Sequence, residues 1–265
     1  MAAVKHVDVL IVGSGPAGSS TALHLLRIDP TWAARIAVVD KAVHPREKLC
    51  GGGVTQLGER VLTGLGLNFE PAHVPVREVR LRLGPATFAV RDDPVLRVVR
   101  RDRFDQWLVQ QAERQGIEVR QGQAVTAITP WPDYAEVRTE QVTFHAHSLV
   151  AADGSRSFVR RKLNWTGQSR MARLLEVLTP EVAERCFEFR EGVAIFDFSP
   201  MAVGLQGYYW DLFLSFLKSL LVGQNRILML LVLLEFVSDP CVCNRFPTFL
   251  LPIGCFWPRH CLRPL

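Results

Sequence analysis

The chain has 265 residues, 48% hydrophobic and 22% charged, with a formal net charge of +5. This composition excludes wholesale disorder and allows one large domain or two smaller ones, each with a true core. The cationic excess is mild and scattered, and no Lys/Arg block is interleaved with aromatics. It therefore points to small anionic ligands or an anionic membrane surface and excludes a strand-binding groove for nucleic acid.

The N-terminus, "MAAVKHVDVLIVG", does not read as a signal peptide, because Asp8 interrupts the apolar run and glycines follow where a cleavage site would stand. Residues 7–12 are predicted to form a buried strand. Gly13, Gly15 and Gly18 then give G-x-G-x-x-G. The first glycine permits a tight turn, the second a close approach of backbone to a pyrophosphate, and the third close packing of helix on strand. Pro16 falls in the first helical turn, where its missing N–H costs little. Ala17 opens a helix predicted to run to residue 26, with its N-terminus towards the phosphates. A second strand is predicted at 35–39. Asp40 ends it about 20 residues beyond Gly18, where a carboxylate accepts from a ribose hydroxyl. Lys41 adjoins it as a further candidate contact. The motif leaves FAD and NAD(P) both open.

Three later stretches favour flavin. "KAVHPREKLCGGGVT" places a basic, glycine-rich loop directly after Asp40, containing Arg46, Cys50, Gly51, Gly52 and Gly53. A helix is expected from about residue 56. "VVRRDRFDQWLVQQAERQG" is an amphipathic helix with Phe104, Leu108 and Ala112 on one face and Arg101 at its start. A strand at 117–120 follows. "SLVAADGSRSFVRRKL" is a strand ending at Asp153-Gly154. Between these stretches, residues 76–90 alternate as a β-hairpin. Residues 184–210 alternate again, with turns at Glu191-Gly192 and Ser199-Pro200.

Taken together, these motifs resemble the p-hydroxybenzoate-hydroxylase-like flavoproteins. Within that group, "PREKLCGGGVT" and "FDFSPMAVGLQGYYWD" are similar to the geranylgeranyl reductases. The resemblance covers residues 7–211. It implies an α/β fold: a Rossmann-like FAD-binding domain (1–70 and 97–163) with an inserted antiparallel β substrate lobe (71–96 and 164–211), incomplete at the C-terminus. It implies that Gly13, Gly15, Gly18 and Asp40 hold the adenosine diphosphate half of FAD. Arg101 is then the leading basic contact and Arg46 the second. Asp153 and Gly154 lie near the pyrophosphate, where they also touch NADPH. The Cys50 loop runs beside the flavin ring, with Cys50 either a chemical participant or a small filler. Tyr208 and Trp210 line a lipid channel, although Asp211 to Leu214 depart from the family's Phe-Pro. The implied activity is reduction of carbon–carbon double bonds in a polyprenyl substrate by FAD and NADPH. A flavin monooxygenase or halogenase and an inactive truncated fragment are the alternatives. The expected partner is a small isoprenoid, with no defined protein partner and no metal. The expected location is cytoplasmic, with peripheral membrane contact.

Residues 212–265 are Leu-, Phe- and Cys-rich without strand alternation. They are expected to be loosely packed helix and coil, read either as unrelated or out-of-frame sequence or as a membrane anchor. Cys241, Cys243, His260 and Cys261 lack zinc-finger spacing.

Overall fold

The computed structural model describes residues 3–165, 172–180, 190–204, 207–214 and 225–233, all within one compact unit, Met1–Glu235. In chain order the first elements are β1 (Ala3–Val12), α1 (Pro16–Ile28), β2 (Ile36–Val39), β3 (Gly53–Thr55) and α2 (Gln56–Gly64). Then come β4 (His73–Leu83), β5 (Ala86–Val99), α3 (Arg101–Arg114), β6 (Glu118–Arg120), β7 (Val125–Pro130), β8 (Ala135–Thr139), β9 (Val142–Ala151) and α4 (Phe158–Lys162). The last four described strands are β10 (Ala172–Pro180), β11 (Val193–Asp197), β12 (Gly207–Leu214) and β13 (Asn225–Leu233).

The first sheet has the order β6-β2-β1-β9-β8-β7. Its first four strands are parallel and the β9-β8-β7 edge is antiparallel. The inner strand β2 and the Val9–Val12 end of β1 are covered on both faces, so they read as unbroken apolar runs. Val9 and Ile11 pack with Leu23, Val38 and Leu108 on the side of α1 and α3. Leu10 and Val12 pack with Val39, Val137 and Phe144 on the other side. This is the Rossmann-like architecture expected from the glycine motif, with the turn at Gly13 and the N-terminus of α1 at the carboxyl end of β1.

The second sheet has the order β10-β13-β12-β11-β4-β5-β3. It is antiparallel at every pairing except β11 with β4, which is parallel. That junction is braced where β4 bulges between Val76 and Glu78: the Arg77 and Glu78 amides donate to the Gly192 carbonyl at 2.8 and 3.2 Å. Val76, Leu96, Val98, Ala194 and Leu212 form its core. The hairpin expected around residues 76–90 is therefore longer than its alternation indicates. Strands β7 and β8 complete the first sheet in a stretch with no strong pattern.

The expectation of loose helix and coil over residues 212–265 is corrected at 212–214 and 225–233, which are strand, and the rest of that stretch lies outside the described residues. β12 continues to Leu214, and β13 pairs with β12 on one side and β10 on the other. An apolar run without alternation fits an interior strand as well as a helix, and pairing on both sides decides between them. Cys186, Cys241, Cys243, Cys255, His260 and Cys261 lie outside the described residues. Among the described residues, no helix is long and apolar enough to cross a membrane.

Burial ranks the side chains that hold this fold. Phe144 is fully buried, whereas Phe88 on the hairpin is 60% exposed. Phe144→Ala is expected to lower unfolding stability by about 3–5 kcal/mol. Phe88→Ala should change it by only about 0.5 kcal/mol. Urea unfolding of the two variants checks the difference.

Candidate functional site

The glycine turn is built by contacts a side chain would forbid. Gly13 has φ +102°, and a Cβ there would lie 2.4 Å from the Ala152 carbonyl oxygen. A Cβ on Gly18 would lie 1.8 Å from the Gly13 carbonyl oxygen. Gly15 is the N-cap of α1 and Pro16 its first residue, with no side chain capping the helix. A Cβ on Gly15 would instead meet Arg46 Nη2 at 3.2 Å. The Arg46 guanidinium thus lies over the positive end of α1, and both favour an anion there.

Asp40 closes the turn from the end of β2. Its Oδ2 accepts from the Ser14 amide at 2.7 Å and the Ser14 hydroxyl at 2.8 Å, and its Oδ1 accepts from the Ala42 amide at 2.9 Å. A carboxylate has about four lone-pair sites, so room remains for one more donor such as a ribose hydroxyl. The Ser14 hydroxyl gives its proton to Asp40 and lies 2.9 Å from His44 Nε2. That arrangement places the imidazole proton on Nε2. His44 Nδ1 is then a buried acceptor without a partner. Burial lowers the His44 pKa, and the Arg46 charge lowers it further against the pull of Asp40, Asp105 and Glu113. Lys41 is exposed.

Asp153, at the end of β9, has its Cα 3.0 Å from where a Gly13 Cβ would sit. Its Oδ2 accepts from the Phe158 and Val159 amides at 2.6 and 3.1 Å, holding the start of α4. Its Oδ1 is buried without a partner. Gly154 follows with φ +86°. Asp153 is therefore a helix-capping residue as well as a neighbour of the glycine turn.

Arg46 and Arg101 converge on one carboxylate. Asp105 has no exposed side-chain surface. Arg101 Nε and Nη2 donate to its Oδ1 and Oδ2 at 2.8 and 3.1 Å, one helical turn apart on α3. Arg46 Nη2 lies 3.1 Å from Asp105 Oδ2. Burial alone would lower the Arg101 pKa, but Asp105 and the Cys50 thiol beside it outweigh burial and hold it above its ordinary value. Next to this pair lies a cleft of about 360 Å³, lined by Pro16, Cys50, Gly53, Val61, Arg101 and Phe104 among others.

The Cys50 loop reaches this cleft, although one of its glycines has a different reason for being there. Gly52 has φ +70°, and a Cβ would lie 2.0 Å from the Val99 carbonyl oxygen. The close approach at this position is to the chain's own β5. Gly51 is buried as well, whereas Gly53 is exposed and a Cβ there would make only ordinary contact, 3.8 Å from Leu96. Tyr208 and Trp210 are not among the residues lining the cleft. They stand on the second sheet with Phe196 and Phe198, ring centroids 4.6–6.3 Å apart. Trp210 Nε1 is buried without a partner. On the opposite face Tyr209 donates to Asp197 at 2.7 Å.

These residues fit a flavin dinucleotide. The uncapped N-terminus of α1 under a guanidinium suits a pyrophosphate, the remaining capacity of Asp40 suits a ribose, and Asp153 Oδ1 is an acceptor without a donor. Sequence reasoning missed Ser14, His44 and Asp105. Asp105 alone carried a signal: a carboxylate one turn after Arg101, on the face that also carries Phe104 and Leu108, is buried only when paired.

A protein-family model described as "FAD binding domain" matches residues 6–211. The chain is 30% identical over 185 residues to a menaquinone reductase of Mycobacterium tuberculosis, covering 62% of this chain and 41% of that protein. It is 27% identical over 168 residues to a geranylgeranyl diphosphate reductase of Rhodobacter capsulatus, covering 59% and 39%. The fold matches a geranylgeranyl bacteriochlorophyll reductase-like protein of Thermoplasma acidophilum with TM-score 0.66 at 17% identity, covering 86% of this chain and 57% of that one. The chain thus spans roughly two-fifths of the two curated relatives' length.

Two measurements probe the geometry. Asp105→Asn leaves two guanidiniums facing a neutral amide, and should cost about 3 kcal/mol in urea unfolding. The neutral His44 ring should make stability pH-dependent. Its folded pKa is depressed, so the unfolded chain binds the proton more readily. The contribution is complete above about pH 6.5 and falls as the pH drops below that value. His44→Gln should flatten the stability–pH curve below about pH 6.5.

Proposed function

The chain belongs to the FAD binding domain family, and from that premise we propose that it forms the dinucleotide-binding part and one substrate wall of a flavin-dependent reductase. The substrate class is a molecule with a polyprenyl chain whose carbon–carbon double bonds are saturated, with NADPH as reductant. The observation that carries this reading is the cleft beside the Arg46–Asp105–Arg101 cluster, with Cys50 and Gly53 in its lining. Relatives named as reductases of menaquinone and of geranylgeranyl diphosphate support reductive chemistry on a prenyl-bearing molecule. When bound, a flavin would supply two-electron hydride-transfer chemistry, the second hydrogen of each saturated double bond arriving as a proton.

The chain's own residues bind, orient and shield. The α1 amides and Arg46 take the pyrophosphate, with Gly13, Gly15 and Gly18 giving it access and Pro16 and Ala17 at the helix start. Asp40 takes the ribose, with Lys41 beside it at the surface. Asp153 and Gly154 close the turn from β9. Arg101, fixed by Asp105, presents its charge to the cleft. Cys50, Gly51, Gly52 and Gly53 form the loop along the flavin ring, where Cys50 shapes the pocket or holds a proton beside Arg101. Tyr208 and Trp210 offer an apolar wall on which a prenyl chain lies out of water. A substrate of that kind draws the protein to a membrane surface.

The purified chain should bind FAD, followed by flavin absorbance. Arg46→Ala should weaken binding about tenfold or more, the loss of one hydrogen bond to a charged group. With NADPH and a geranylgeranyl substrate, mass spectrometry should show two hydrogens added per double bond. Cys50→Ala should lower turnover without changing flavin affinity, and full turnover in that variant would remove any chemical role for the thiol. Absence of flavin binding, or flavin binding with no saturation of the substrate, would overturn the reading.

A further inference from the structure

The Ser14 hydroxyl lies between Asp40 Oδ2 at 2.8 Å and His44 Nε2 at 2.9 Å. It carries a single proton. If His44 Nε2 were a bare acceptor, the imidazole would compete with Asp40 for that proton. With a proton on Nε2 the competition ends: the ring donates to the hydroxyl oxygen, and the hydroxyl donates to Asp40. Asp40 then holds the Ser14 amide and hydroxyl on Oδ2 and the Ala42 amide on Oδ1. The state of one buried ring thus decides how the carboxylate after β2 is held.

The chain builds this ring into place. The His44 amide donates to Gln121 Oε1 at 2.7 Å. Just before it, the Ala42 carbonyl accepts from the Gly122 amide at 3.1 Å and the Asp40 carbonyl from the Gln123 amide at 2.8 Å. Residues 40–44 are therefore laced to the turn after β6. Ser14 has no exposed surface and His44 is 8% exposed, so the contact between them is shielded from bulk water. A histidine that merely fills a core pairs both ring nitrogens. This one leaves Nδ1 buried without a partner and commits Nε2 to the residue that holds Asp40. A buried polar atom left unpaired calls for a compensating role.

We propose that His44 is a positioning residue for ribose recognition: its Nε2–H donates to the Ser14 hydroxyl, commits that hydroxyl's proton to Asp40, and so reserves the remaining lone-pair site of Asp40 for a hydroxyl of the adenosine ribose. His44 touches no ligand in this scheme and acts through Ser14. The inference rests on the dinucleotide reading of the glycine turn, and on neither the alkene substrate nor NADPH.

The experiment uses the full chain, FAD, and an FAD analogue whose adenosine ribose carries no hydroxyls. The two ligands share every other group, so general loosening weakens both and leaves the ratio of their affinities unchanged. The parent should prefer FAD about tenfold or more, the worth of a hydrogen bond to a charged group. His44→Leu removes the donor, and the preference should shrink to within about threefold. His44→Gln keeps an N–H donor in its place and should return to within about twofold of the parent. Nitrogen NMR of the free chain at about pH 8, where an ordinary imidazole is neutral, should show the His44 proton on Nε2. A proton on Nδ1 would overturn the proposal. So would full preference retained in H44L, an H44Q variant no better than H44L, or a parent that binds both ligands equally. A parent that binds neither ligand would overturn the dinucleotide reading itself, and the proposal with it.

Discussion

One buried carboxylate fixes where two positive charges stand. Asp105 has no exposed surface and is shared by Arg101, one helical turn earlier on α3, and Arg46, on the loop after β2. Such a cluster adds little net stability over apolar packing of the same volume, yet losing one member is expensive. Its explanation is therefore placement. Through Asp105 the helix that follows the β4–β5 hairpin is tied to the loop after β2, whose Arg46 lies over the nucleotide-binding turn. Arg46 is thereby held over Gly15 and Arg101 beside Cys50. The remaining features of the site are arranged around those two fixed cations.

Much of the fold is legible because its signals are local and mutually consistent. The apolar run of β1, the glycines at 13, 15 and 18, the helix after Pro16 and the carboxylate at 40 each have a reason within a few residues. The helix start at Gln56 and the amphipathic face of α3 are legible for the same reason. The unread parts depend on distant partners. Strands β7 and β8 have weak patterns and exist through their pairing beside β9. Strand β13 shows no alternation and is revealed only by its pairing with β10 and β12.

The candidate site divides in the same way. Cys50 and Arg101 both line the cleft, whereas Tyr208 and Trp210 stand apart from its lining. Gly52 looks like a residue reserved for a ligand, but its missing side chain makes room for the Val99 carbonyl. Asp153 looks like a cofactor contact and also caps α4. Motif residues in this chain thus serve the scaffold first.

The parallel seam between β4 and β11 also governs the order of events during folding. β4 and β5 form a hairpin from neighbouring residues, so they can pair early. The partner of β4's other edge starts at Val193, more than a hundred residues downstream. Pairing at such separation is slow, because loop-closure entropy must be overcome before any contact rewards it. Until β11 arrives, β4 presents an unpaired edge that can template pairing with another chain. A cell making this protein would thus hold, for the time needed to synthesise that stretch, a nascent chain with a sticky strand and a nearly complete nucleotide fold. Chaperone demand and yield on expression should track that interval more closely than they track the stability of the finished molecule.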